Sequence, residues 1–178
     1  MTSRILLVED EINMARTLAK NLERAGYAVT HAANGEAALG TLAQESFDVI
    51  LTDLKMPVLD GMGLLRAIHE RNIATSVIVL TGYGTIESAV EAMKLGAADY
   101  LIKDAHPQQV LLTVERTLKL QALERENARL RREIVRFEGI GELVGNSDTM
   151  QAVYRLVDAV SQTKSTVLLF WLTASMSR

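Results

Sequence analysis

An α/β fold built on a doubly wound, five-stranded parallel sheet is predicted by two features of this 178-residue sequence. Short apolar runs, each followed by polar or turn-forming residues, alternate with segments whose apolar residues recur at helical spacing, and the pair repeats five times. The texture then changes near Pro107, where one extended helix without internal glycine or proline leaves the body.

Ile5 to Val8 reads as a first buried strand, and Ala15, Leu18, Ala19 and Leu22 place a helix after it that stops at Gly26. Tyr27 to His31 alternates apolar and polar side chains, the pattern of an outer strand with one less covered face. Asn34-Gly35 supplies the next helix start, with Ala37, Ala38 and Leu42 as its apolar positions. Val49 to Leu51 is the third strand, followed by a helix marked by Leu64, Leu65 and Ile68. Val77 to Leu80 is the fourth, its helix ending at Gly96, and Tyr100 to Ile102 is the fifth. Right-handed crossovers arrange such a chain in the order 2-1-3-4-5 and put a ligand crevice at the carboxyl ends of the strands.

The absence of cysteine excludes disulfides, thiolate metal sites and cysteine nucleophiles. The first apolar run is interrupted by Glu9 and Asp10, unlike a signal peptide, and no window reaches membrane-spanning length, so a cytoplasmic location without membrane contact is expected. A net charge of -3 gives no broad reason to bind nucleic acid, and no direct contact with it is expected from this chain.

Each crevice position carries a charged or reactive side chain: Glu9 and Asp10 after strand one, Asp53 after strand three, Thr81 after strand four and Lys103 after strand five. Three converging carboxylates repel and call for a cation, and a hard, oxygen-seeking ion such as Mg²⁺ suits them. In that arrangement Asp53 can attack a phosphoryl group in line while the metal and Lys103 neutralise its oxygens. The Thr81 hydroxyl can donate to a phosphoryl oxygen, and Gly82 leaves room for it.

These residues lie in stretches that resemble the receiver domains of bacterial response regulators: Leu7-Val8-Glu9-Asp10-Glu11, Asp53-Leu54-Lys55-Met56-Pro57 with Asp60-Gly61, Leu80-Thr81-Gly82, and Gly96 through Lys103. The similarity covers about residues 3 to 120 and implies a flavodoxin-like fold. It further implies that Asp53 is the phosphoacceptor, that Glu9, Asp10, Asp53 and the Lys55 carbonyl ligate Mg²⁺, and that Tyr100 changes rotamer with Thr81. The donor it implies is a phosphohistidine on a sensor histidine kinase. One departure stands out, because Asp104 follows Lys103 where the family has a proline joined by a cis peptide. A non-proline cis bond costs about 2.5–4 kcal/mol, so the family's loop geometry does not carry over directly to Lys103.

Other candidates have plainer explanations. His31, His69 and His106 are scattered without metal-ligand spacing and read as ordinary surface or core residues. Gly82-Tyr83-Gly84 lacks the rest of a dinucleotide fingerprint and reads as a mobile loop. A Mg²⁺-dependent small phosphohydrolase is the alternative function, for which neither a general acid or base nor a substrate pocket is found; a structural dimer with a vestigial site is the third.

From about Pro107 to Phe137, Leu120, Asn127 and Ile134 at a, with Leu123, Leu130 and Phe137 at d, give an unbroken heptad frame. Asn127 at a, and opposite charges between Lys119 and Glu124 and between Glu126 and Arg131 of a facing helix, favour a parallel homodimer; Glu133 facing Glu138 is a mismatch. Gly139 and Gly141 end the helix. The chain thus divides into a receiver (1–118), a coiled-coil dimerisation linker (119–138) and a terminal part (139–178).

In that last part Leu143-Val144-Gly145-Asn146-Ser147, Met150-Gln151, Val153 and Ser165 to Phe170 resemble the opening of the AAA+ domain in sigma-54-dependent activators of the NtrC and DctD type. The resemblance implies control of a downstream ATPase acting on sigma-54 RNA polymerase. Either the unphosphorylated dimer inhibits that ATPase or phosphorylation builds its assembled ring, and inhibition is favoured because a long parallel linker can hold two ATPase modules apart. The phosphate-binding loop that should follow is replaced by Trp171 to Arg178, so the chain is expected to be a truncated fragment with an atypical tail and no ATPase activity. Residues 143 to 178 are expected to be disordered or packed opportunistically. As a whole, the sequence is that of a phosphoacceptor switch rather than an enzyme.

Overall fold

The computed structural model describes residues 2–82, 84–104, 106–138 and 147–161. The chain divides into two compact units, Met1–Glu124 and Arg125–Arg178. The first contains five parallel strands, β1 (Arg4–Val8), β2 (Ala28–Ala32), β3 (Val49–Thr52), β4 (Ser76–Thr81) and β5 (Asp99–Ile102), in the order β2-β1-β3-β4-β5. Between them run α1 (Ile12–Arg24), α2 (Gly35–Leu42), α3 (Gly61–Glu70) and α4 (Ile86–Lys94), and α5 (Pro107–Glu138) follows the last strand. The predicted alternation and strand order are those observed, with boundaries shifted by a residue or two.

Both faces of the sheet are covered, which is why the inner strands are continuous apolar runs. Successive side chains go to opposite faces. Leu6, Val8, Ile50, Val77 and Val79 meet Ala38 of α2, Leu64, Leu65 and Ile68 of α3 and Ala92 of α4. Ile5, Leu7, Leu51, Ile78 and Leu80 meet Ala15, Leu18 and Leu22 of α1 and Val110 and Val114 of α5. β2 is the half-exposed outer strand that its alternation predicted, and Ala37, grouped with Ala38 on apolarity alone, faces solvent.

The helix starts are chemically marked. Asn34 Oδ1 accepts from the Ala37 N–H at 2.9 Å, Asp60 Oδ1 from Gly63 at 2.7 Å, and Thr85 and Ser88 form a reciprocal capping box on α4. Gly26 and Gly96, at φ of +93° and +92°, follow the ends of α1 and α4 as expected.

Two positions shape the segment between β3 and α3. Val58 is held at φ 69°, the left-handed region that costs a β-branched residue strain. Gly61 donates its N–H to the Leu54 carbonyl at 3.0 Å, and a Cβ placed there would lie 2.1 Å from the Asp53 carbonyl oxygen. The first turn of α3 is therefore pressed directly onto the backbone that leaves β3.

In the second unit α5 runs on to Glu138, and α6 (Asp148–Ser161) is amphipathic. The expectation of disorder over residues 143–178 is thus corrected for 148–161, where an apolar stripe at helical spacing suffices for a helix. Gly139, Gly141, Leu143 to Asn146, the run from Ser165 to Phe170 and the tail from Trp171 to Arg178 lie outside the described residues. Among the described residues no helix is long and apolar enough to cross a membrane.

Gly61→Ala is expected to lower the free energy of unfolding by about 1–3 kcal/mol through overpacking against Asp53. Urea denaturation measures this; an unchanged midpoint would show that the contact does not hold the loop.

Candidate functional site

The parallel sheet brings its strand ends to one edge, and the five predicted crevice residues stand there. Glu9 and Asp10 directly follow β1, Asp53 follows β3, Thr81 ends β4 and Lys103 follows β5. The ladder extends slightly past the strands to hold them: Glu9 donates its N–H to Ala32 at 3.1 Å, Asp53 to Val8 at 3.0 Å, and Lys103 to Thr81 at 2.9 Å. Carboxylate oxygens of Glu9, Asp10 and Asp53 lie within 4.8 Å of one another. Glu9 and Asp53 are buried, 2% and 6% exposed, whereas Asp10 is exposed, so the cluster opens to solvent on the Asp10 side.

Lys103 closes the other side. Its Nζ lies 2.6 Å from Glu9 Oε2 and 2.8 Å from Asp53 Oδ2. No cis peptide occurs among the described residues, so the Lys103–Asp104 bond is trans, and the ammonium reaches both acids from it. The second oxygen of Asp53, Oδ1, accepts from the Leu54 N–H at 2.6 Å and more weakly from Lys55 at 3.3 Å. Burial pushes the Glu9 carboxyl above the usual carboxylate range, and the ammonium of Lys103 only partly offsets this. For Lys103 burial acts downward, but its hydrogen bonds to Asp53 and Glu9 outweigh it and hold the pKa above the ordinary lysine value.

Thr81 is fully buried. Gly82 is open, since a Cβ there would meet only Lys103 Cδ, at an ordinary 3.8 Å. Tyr100 is half-buried, and its hydroxyl shares a 2.8 Å hydrogen bond with Ser88 Oγ in the α4 capping box. Tyr83 lies outside the described residues.

Two contributors were missed in the sequence. Ser88 carried no signal, because capping residues and site residues look alike until β5 is placed beside α4. His31, taken for an ordinary residue, points Nε2 at the Glu9 carbonyl at 2.8 Å. Only the register of β2 on β1, pairing Leu7 with His31 and Val8 with Ala32, puts it there.

The heptad residues Leu120, Leu123 and Leu130 are 51%, 66% and 45% exposed, and Asn127 is exposed beside them. The side chains of Ile134 and Phe137 lie outside the described residues. Lys119 and Glu126, candidates for pairing between helices, here bridge to Glu115 and Arg129 along their own helix.

Fold and site together define a receiver, a parallel α/β domain whose strand ends gather three carboxylates, a hydroxyl and a lysine. Residues 5–115 match the response regulator receiver domain, and the chain belongs to that family. It is 33% identical over 94% of its length to the regulatory protein AtoC of Escherichia coli. It is 32% identical over 93% of its length to the C4-dicarboxylate transport transcriptional regulatory protein DctD of Pseudomonas aeruginosa. Each match spans 36% of the relative, so the chain covers about a third of these curated relatives. Among solved structures, NtrX from Brucella abortus superposes with a TM-score of 0.70 at 29% identity, over 93% of this chain and 36% of that one. A CheY-like receiver domain protein from Methanospirillum hungatei superposes with a TM-score of 0.67 at 31% identity, over 70% of this chain and 99% of that one.

Lys103→Met removes the cation from between Glu9 and Asp53. In chelator at neutral pH it is expected to cost about 1–3 kcal/mol of stability by leaving buried acceptors unpaired. It should also move the Glu9 carboxyl titration further upward. Carboxyl-carbon NMR across a pH series reads the second effect, and an unmoved Glu9 would show that the ammonium is not its counter-charge.

Proposed function

We propose that this chain is the phosphorylation-dependent regulatory module of a two-component transcriptional activator, with Asp53 as the phosphoacceptor. The observation that carries the reading is the convergence of Glu9, Asp10 and Asp53 within 4.8 Å, with Lys103 bonded to two of them.

The donor set fits Mg²⁺: hard, anionic oxygens from three carboxylates, open to solvent at Asp10, with the Lys55 carbonyl as a fourth ligand carried over from the family. When bound, the ion supplies charge neutralisation for the transferred phosphoryl group. An oxygen of Asp53 attacks phosphorus, the P–N bond to the phosphohistidine of a sensor histidine kinase breaks, and the electron pair leaves with the imidazole. Glu9 and Asp10 are acceptors only and hold the cation. Lys103 moves its hydrogen bond from the Asp53 carboxylate to a phosphoryl oxygen, and the Thr81 hydroxyl donates to another. Satisfying that oxygen draws Thr81 toward the site and vacates space that Tyr100 enters by releasing Ser88.

The exposure of Leu120, Leu123, Asn127 and Leu130 on α5 supports residues 119–138 as a parallel dimerisation linker, whose heptad frame continues in the sequence through Ile134 and Phe137. Residues 139–178, by their resemblance, open an AAA+ module whose partner is sigma-54 RNA polymerase. The names of AtoC and DctD, a regulatory protein and a transcriptional regulatory protein, agree with a role in regulation.

Incubation with Mg²⁺ and a small acyl phosphate is expected to leave one alkali-labile phosphate per chain, and Asp53→Asn to abolish it with the fold intact. Continuous turnover of the donor would favour a phosphohydrolase, and absent labelling a vestigial site. Truncation after Leu118 is expected to weaken self-association in sedimentation; an unchanged sedimentation coefficient would remove the coiled-coil assignment.

A further inference from the structure

The turn from β1 to α1 carries two of the three clustered carboxylates, yet it is sparingly fastened. Glu11, the N-cap of α1, makes no side-chain capping hydrogen bond. Within the turn the Glu11 N–H reaches Glu9 Oε1 at a long 3.3 Å, and the shorter bonds to its backbone come from the edge strand. Glu9 donates its N–H to the Ala32 carbonyl at 3.1 Å, and the Glu9 carbonyl lies 2.8 Å from His31 Nε2. A carbonyl oxygen can only accept, so His31 is the donor and carries its proton on Nε2. Both backbone polar groups of Glu9 are thereby gripped by β2, one by main chain and one by an exposed imidazole.

The Glu9 carbonyl belongs to the same planar unit as the amide nitrogen of Asp10. Fixing the direction of that C=O fixes the peptide plane, and with it the positions of the Asp10 nitrogen and Cα from which the side chain departs. Asp10 needs this more than its neighbours do. Glu9 and Asp53 are buried and pinned by Lys103, whereas Asp10 is exposed and repelled by both of them.

We propose that His31 is a positioning residue for the cation site: its Nε2–H, through the Glu9 carbonyl, aims the Asp10 carboxylate at a hard divalent ion. The proposal rests on the Mg²⁺ reading above, and nothing in the reaction requires His31 to touch ion or phosphate.

The test is calorimetric titration of the full chain with Mg²⁺ alone, without phosphodonor, for the wild type, His31→Leu, His31→Phe and His31→Gln. The leucine and phenylalanine variants lack the donor and are expected to bind Mg²⁺ about tenfold more weakly, the lower end of the usual effect of outer-shell partners. Glutamine restores an N–H at a similar reach and is expected to return the affinity to within about twofold of wild type. Thermal unfolding in chelator should differ little among the four, because His31 is exposed. Either of the two donor-free variants suffices if the other does not fold. Wild-type affinity in both, or a glutamine variant as weak as leucine, overturns the proposal. So does a loss of metal-free stability that accounts for the weaker binding. A wild-type chain that takes up no Mg²⁺ overturns the metal site itself, an outcome distinguishable from an unchanged affinity in the variants.

Discussion

Like charges held a few ångströms apart set the terms for everything else at the carboxyl edge of this sheet. Two carboxylates at 4 Å repel by about 1 kcal/mol in water and about 4 kcal/mol at the effective dielectric of a protein surface. Glu9 and Asp53 are almost wholly buried, so the larger figure is the relevant one, and Asp10 adds to it. The ammonium of Lys103, within 2.8 Å of both buried acids, is what the domain itself provides against that repulsion. It bonds to two of the three carboxylates while supplying one positive charge, and the third carboxylate stands at the open side. The cluster thus keeps an excess of negative charge on its solvent side.

The architecture follows from having to deliver these groups to one place. Parallel strands all finish at the same edge, so five short strands place side chains from distant parts of the chain within bonding distance. Burial of both sheet faces keeps those ends from shifting. The contact of Gly61 with the Asp53 backbone removes the remaining freedom on one side, since α3 begins where no Cβ can be accommodated. In its proposed role as phosphoacceptor Asp53 gains from this rigidity, because a misplacement of an ångström is costly in rate.

Much of this was legible in the sequence because it depends on period and position. Runs such as Ile5 to Val8 and Val77 to Leu80 announce buried parallel strands, and the crossover rule orders them. Once the order is known, Glu9, Asp10, Asp53, Thr81 and Lys103 can be gathered without coordinates. The residues that escaped are those whose role depends on lateral register or on a bond to the main chain. His31 gives no pattern, for its partner is a backbone carbonyl that every residue possesses. Ser88 is doubly hidden, since its place in the capping box explains it fully before Tyr100 is considered. Ala37 went to solvent because alanine next to alanine does not tell which of the two faces the sheet. The helix at Asp148–Ser161 was undervalued because a segment lacking its own core was equated with a segment lacking structure.

The helices are not packed equally onto the sheet. α1 buries Ala15, Leu18 and Leu22, and α3 buries Gly61, Leu64, Leu65 and Ile68, but α4 buries Ala92 alone. Ile86, Val90 and Met93, spaced along one side of α4, are 79%, 47% and 50% exposed. Its amino end is held by exposed hydrogen bonds between Thr85 and Ser88 and by a partly buried one from Ser88 to the Tyr100 hydroxyl. Segments with few buried apolar contacts and exposed hydrogen bonds occupy the low-stability end of a protein. α4 is therefore less firmly packed than α1 or α3. Through Tyr100 it is also bonded to the strand that carries Lys103 into the site.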